Sequence, residues 1–264
     1  MFFTGVKEMK EFFGFGGYQR TPEGYMSWQH LVFVTSLMAV MALLAVFFGR
    51  RNRDKSEKTK NRVLIVAAIL IDSFELFKIV LCCFRAGDPL NWLMNLPLFL
   101  CSIQLITIPL AAFSHGRAKE AALDFVFIFG LLGALAGTYG AGQNYACYPV
   151  LSFDNVVSGV THSISGFCAL YIPIARMASM KKKNMPITFA ILSFFCAAAY
   201  IADILIPYNY MFMIRGDGTP YDILYNLVGG SPVLYPVGVV ALFLIYIALF
   251  YWVYYLVARR KKKV

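Results

Sequence analysis

Apolar runs of about 20 residues recur along this 264-residue chain, and clusters of Lys and Arg separate them. A helix rising 1.5 Å per residue needs about 20 apolar residues to cross roughly 30 Å of hydrocarbon. Seven spans can be read, at about 26–49, 62–84, 91–113, 120–138, 155–178, 185–205 and 234–257. Only 14% of the residues are charged, against about 25% in a soluble domain. That balance excludes a soluble enzyme, a disordered chain, a fibrous repeat and a secreted disulfide scaffold. An outer-membrane barrel is excluded too, because its strands would alternate polar and apolar over about 10 residues. The expected fold is an all-α membrane protein, a seven-transmembrane helical bundle. Residues 1–25 form an outer interfacial segment, 26–257 the transmembrane domain and 258–264 a basic cytoplasmic tail.

The net charge of +10 follows this topology. Residues 50–62, the turn 114–120, the connection after the fifth span and the C-terminus hold eighteen Lys and Arg. The alternate connections hold five, namely Lys7, Lys10, Arg20, Arg85 and Arg215, and Lys78 lies inside the second span. Basic residues collect on the cytoplasmic side, so the N-terminus is expected outside and the C-terminus inside. The basic excess therefore marks orientation, with some attraction for anionic lipid, and no nucleic-acid module accompanies it.

Lys7, Glu8, Lys10 and Glu11 interrupt the first apolar run, so no cleavable signal peptide is expected. Phe2, Phe3, Val6, Met9, Phe12 and Phe13 could form one apolar face of an interfacial helix, or simply an unstructured start with incidental aromatics. The six cysteines show no paired or metal spacing. A disulfide from Cys147 could reach Cys82 or Cys83, but not both. The outer connections 139–154 and 206–233 are longer than the topology requires, which is typical of lids and binding loops. Any site is therefore expected to open toward the outer face.

Ionisable groups inside a membrane are costly and are functional candidates by default. Asp72, Glu75 and Lys78 share one face of the second span, and Glu75 with Lys78 reads first as a structural ion pair. Asp203 lies near the outer end of the sixth span. The third span carries Asn95, Cys101 and Gln104 between Pro97 and Pro109, and the fifth carries His162. On continuous helices Cys101 would lie about 15 Å deep and His162 about 10 Å deep. A Cys and a His at matched depth could form the thiolate–imidazole pair of nucleophilic acyl transfer. Spacing alone leaves open that the cysteine is packing and the histidine a hydrogen-bond bridge.

Several chemistries are absent from the pattern. No GxSxG precedes a His, no His is followed four residues later by Asp, and no span holds a metal-ligand cluster. The last span has no lysine for a retinal Schiff base, and no three-helix repeat of a small sugar transporter is visible. No metal or cofactor is expected.

Asn95-Leu-Pro-Leu-Phe-Leu-Cys101-Ser is similar to the LPLHLC signature of YwaF-type integral membrane proteins. Trp28-Gln-His30, Thr161-His162 and Asn209-Tyr210-Met211-Phe212 match further pieces of that family in order. Its animal relatives are ether-phospholipid acyltransferases, distantly similar to the androgen-induced lipid hydrolases. The resemblance implies Cys101 as nucleophile and His162 as general base, acting on a phospholipid or lyso-phospholipid, in a bacterial plasma membrane. Asn95, Gln104, His30, Asn209 and Tyr210 become candidates for oxyanion or substrate contacts. One departure is that the family's histidine two residues before the cysteine is Phe99 here. The alternative is a transporter or lipid-binding membrane protein without covalent chemistry, in which Asp72, Glu75, Lys78 and Asp203 line a path.

Overall fold

A computed structural model describes residues 8–261, all-helical and without strands among them. Phe2, Phe3 and Val6, half of the apolar face expected for the N-terminus, lie outside the described residues, as do Lys262 and Lys263. After a helical turn at 8–12 come α1 (Trp28–Asn52), α2 (Glu57–Ala86), a 3-10 helix (Pro89–Asn95), α3 (Gln104–Phe113) and α4 (Gly116–Tyr139). Then follow α5 (Gly142–Cys147), α6 (Phe153–Ile174), α7 (Met185–Leu205), α8 (Tyr221–Leu227) and α9 (Leu234–Lys261). Short polar residues set the starts. Ser27, Ser56 and Ser152 each accept a backbone N–H three residues on, which satisfies one of the donors a helix start leaves open. Gly87, at φ 62°, ends α2 in the left-handed conformation that costs glycine least.

Five segments are long and apolar enough to cross a membrane: 28–52, 116–147, 153–174, 182–205 and 234–258. The protein is an integral membrane protein. α2, at 30 residues, has ample length, but Asp72, Glu75 and Lys78 dilute its apolar character.

The third span departs most from expectation. Residues 91–113 are not one helix: the 3-10 turn ends at Asn95, residues 96–103 are non-helical, and α3 begins only at Gln104. Pro97 disfavours the helical region for Leu96 and offers no N–H, so the ladder cannot pass through it. Cys101 therefore lies in a turn, and a depth counted at helical rise does not apply to it. The connections 139–154 and 206–233 also carry more regular structure than expected, with α5 in the first and α8 plus a 3-10 turn at Tyr210–Phe212 in the second.

The chain divides into two compact units, residues 1–95 with 129–177, and 96–128 with 178–264. In the first unit α1 and α2 pack on α6. Small residues admit the contact: a Cβ on Gly159 would come within 2.6 Å of Leu37, and one on Gly166 would overlap Met41. At one end Arg85 of α2 grips Asp154 with both terminal nitrogens, at 2.6 and 2.7 Å. The Tyr18 hydroxyl donates to the same carboxylate at 2.5 Å, and Arg85 also reaches the Phe13 carbonyl, which ties the N-terminal segment down. Burial, and Asp154 beside it, push the Tyr18 phenol up. All six cysteines are free thiols, and Cys82 accepts from Arg85 instead of bridging.

In the second unit α7 packs on α9. Asp124, fully buried on α4, accepts from the backbone N–H groups of Ser179 and Met180 at 3.1 and 2.8 Å. The Ser179 hydroxyl, the Asn184 amide and the Tyr251 hydroxyl also donate to it. One carboxylate thus organises the connection into α7, and Glu120 with Lys181 closes it at the surface.

Candidate functional site

Cys101 is half-buried in the non-helical stretch of the second unit. Tight turns hold the stretch: Ile103 N–H donates to Phe99 O at 3.0 Å, and Gln104 N–H to Cys101 O at 3.3 Å. Further support comes from the segment after α7. The Tyr210 hydroxyl accepts the Leu96 N–H at 3.2 Å, and the Phe99 ring sits among Tyr210, Tyr208 and Phe212, with centroids 5.2, 6.0 and 6.4 Å away. Burial pushes the Tyr210 phenol up to about 12, so it stays neutral as an acceptor. Tyr210 is held in turn by Asp203, which accepts the Tyr210 N–H at 2.6 Å. Asn209 closes the following loop, donating to Arg215 O and Asp217 and accepting from Ile214 N–H. Met211 and Phe212 take positive φ, 52° and 57°, to make this turn. Phe99 thus occupies an aromatic box where the resembled family has an imidazole. Asn209 and Tyr210 are buried, Tyr210 bracing the cysteine turn and Asn209 closing the loop that follows.

Gln104 follows Cys101 by three residues and is fully buried. Its carbonyl accepts from Thr107 at 3.0 Å, while its Nε2 has no hydrogen-bond partner among the described residues. A buried amide N–H without a protein partner is rare and demands an explanation. It is a buried donor left open three residues after the cysteine.

His162 lies on α6 in the first unit. Its Nδ1 is 2.7 Å from the Ser158 carbonyl, one helical turn earlier, and a carbonyl can only accept, so Nδ1 carries the proton. Nε2 is then the basic nitrogen. The ring rests against Gly137 of α4, where a Cβ would overlap it. The remaining candidates of the first unit are engaged otherwise. His30 is fully buried, its Nδ1 accepting from Met26 N–H at 3.1 Å and its Nε2 donating to Thr138 O at 3.2 Å, with the tilted Tyr145 ring centred 3.9 Å away. Both nitrogens are in use, and the bond to Thr138 O joins α1 to α4. Asn95 donates to Asn91 O within its own 3-10 turn. Glu75 and Lys78 form the expected ion pair, and Asp72 is half-buried one turn before it.

Two further carboxylates organise the units, Asp124 in the second and Asp154 in the first. Asp124 was legible as a lone carboxylate one turn into an apolar span. Asp154 sits at a span entry, where an acid at a helix start reads as ordinary.

Compared with known proteins, the chain matches the model of the TMEM164 family over residues 25–259, and it belongs to that family. No curated protein and no solved structure matches it.

Proposed function

For this member of the TMEM164 family we propose intramembrane acyl transfer on phospholipids, with Cys101 as nucleophile and His162 as general base. The observation that carries the reading is the fixed tautomer of His162, whose Nδ1–H on the Ser158 carbonyl makes Nε2 the proton acceptor. A backbone carbonyl here does the orienting work that an acid does in other nucleophile–base–orienter sets.

Nε2 takes the Cys101 thiol proton, and the thiolate adds to an ester carbonyl of a phospholipid. Gln104 Nε2 donates to the oxyanion. The ester C–O bond breaks, the proton returns from His162 to the departing oxygen, and a lyso-lipid leaves an acyl thioester on Cys101. A lyso-phospholipid hydroxyl, or water, then gives its proton to His162 and attacks the thioester, and Cys101 regains its thiol. The first acceptor makes the protein a transacylase and the second a hydrolase.

The membrane arrangement proposed with this chemistry is seven crossings, with the N-terminus outside, the C-terminus cytoplasmic and access from the outer leaflet. Residues 57–86 and 89–113 are the two crossings added to the five apolar segments, and the Lys and Arg distribution supports the orientation.

Intact-mass analysis after incubation with a phospholipid tests the reading. The wild type should gain one acyl group, labile to hydroxylamine, and Cys101→Ala none. His162→Ala should slow acylation by about 10²–10⁴-fold, the usual worth of a general base. Lipid turnover that survives in Cys101→Ala would remove covalent catalysis. Binding or movement of lipid with no acylation in the wild type would favour a conduit.

A further inference from the structure

The hairpin of α1 and α2 leaves a groove of about 610 Å³ over α6, entirely within the first unit. Leu37, Leu44 and Phe48 line it from α1, Val66 from α2 and Ile164 from α6. That volume lies within the roughly 300–1,000 Å³ of small-molecule sites. Leu37 and Phe48 are about 16 Å apart along a helix at 1.5 Å per residue. This is about half of a hydrocarbon core of roughly 30 Å, and so the depth of one leaflet. Leu44 and Val66 are 44% and 56% exposed, so the described chain leaves the groove uncovered.

Arg62 is the one charged residue lining the groove, and it stands at the Phe48 end, beside the basic segment 50–62. It is exposed and pairs with no carboxylate among the described residues. The two acids of that segment are already taken, Glu57 by Lys60 at 2.9 Å and Asp54 by Arg176 at 3.4 Å. Ser163, the other polar lining residue, spends its hydroxyl on Gly159 O at 2.7 Å. An apolar trough one leaflet long that ends on an unpaired guanidinium is matched by an acyl chain ending in a phosphate. A guanidinium binds phosphate oxygens bidentately. The surplus of positive charge around Arg62 favours a head group with net negative charge over one that brings its own ammonium.

We propose that this groove is a binding site for one anionic phospholipid, its chain along α1 and α2 and its phosphate on Arg62. The site is distinct from the proposed chemistry. Val160, Ser163, Ile164 and Phe167 face the groove, while His162 is turned onto Gly137 from another side of α6.

Native mass spectrometry of the full-length protein, delipidated in detergent and titrated with dioleoyl phosphatidylglycerol or dioleoyl phosphatidylcholine, tests the proposal without reference to turnover. One phosphatidylglycerol should bind at least about fivefold more tightly than phosphatidylcholine, since each basic residue at an anionic surface adds about that factor. Arg62→Gln should abolish the preference, whereas Lys55→Gln, in the same basic segment, should keep it. Val66→Trp, which fills the groove at an exposed position, should remove the adduct with helix content unchanged. Equal binding of both lipids by the wild type would overturn the proposal. So would an equal loss in Lys55→Gln and Arg62→Gln, which would make the attraction diffuse, or an adduct that survives Val66→Trp. A lipid-free dimer dissolved by Val66→Trp would assign the groove to a second copy of the chain instead.

Discussion

His162 owes its pose to two neighbours that carry no charge, the Ser158 carbonyl and the missing side chain of Gly137. Glycine inside a helix costs about 1 kcal/mol relative to alanine, so Gly137 needs a reason, and the imidazole lying over it supplies one. Gly137→Ala should stabilise α4 as an isolated helix yet displace the ring. A misplacement of about 1 Å costs on the order of 10² in rate, and acylation measured by intact mass should fall by about that factor. Gly142→Ala, whose Cβ would meet Tyr25 at an ordinary 3.6 Å, should leave the rate unchanged. Equal rates in both variants would detach His162 from the chemistry. At this scale the sequence was partly legible. Residue type marks Asp203, Glu75 and Lys78 as costly in a membrane; Glu75 and Lys78 pair with each other, and Asp203 accepts the Tyr210 N–H. Type alone does not say that His30 spends both nitrogens on backbone groups, because its partners, Met26 and Thr138, come one from its own cap and one from a helix 108 residues away.

The stretch 96–103 is the element that departs furthest from its pattern, and its supports explain why. Pro97 and Pro109 predict a disturbed helix, but a proline kink does not by itself unwind eight residues. The unwinding is held by Tyr210 on the Leu96 N–H and by the aromatic box around Phe99, supplied by residues more than 100 positions later. Local pattern cannot report such partners, so the length arithmetic of the third span failed where that of α1, α6, α7 and α9 held to within a few residues. Tyr210→Phe keeps the aromatic packing and removes the acceptor of the Leu96 N–H. It should lower stability by about 0.5–1.5 kcal/mol, the net worth of one hydrogen bond, read as a shift of the thermal midpoint in detergent. Acylation should fall more than this loss of folded protein accounts for, because the same turn carries Cys101. A rate that merely follows the folded fraction would separate the turn's shape from the chemistry.

For the molecule as a whole, the orientation argument and the apolar-length argument part company over residues 53–115. Length and composition select five crossing segments, and they pass over α2, with Asp72, Glu75 and Lys78 in its apolar middle, and the broken stretch 89–113. Adding or omitting this pair leaves the two ends of the chain on opposite sides, so a reporter at the C-terminus alone cannot decide between seven crossings and five. The intervening turn can. A charged side chain at mid-membrane costs about 2.5–3.5 kcal/mol on insertion scales, but Glu75 and Lys78 neutralise one another and are only 12% and 21% exposed. α2 at 30 residues reaches about 45 Å, more than the hydrocarbon core requires. Truncated fusions ending at Lys55, Asp88, His115 and Val264 should therefore read cytoplasmic, external, cytoplasmic and cytoplasmic in turn. Alkaline phosphatase is active only outside and green fluorescent protein fluoresces only inside, so each junction gives two opposed readings. An Asp88 fusion on the same side as Lys55 would remove both added crossings. It would also place Cys101 on a segment that never enters the bilayer from outside, which would undo access from the outer leaflet together with the seven-span arrangement.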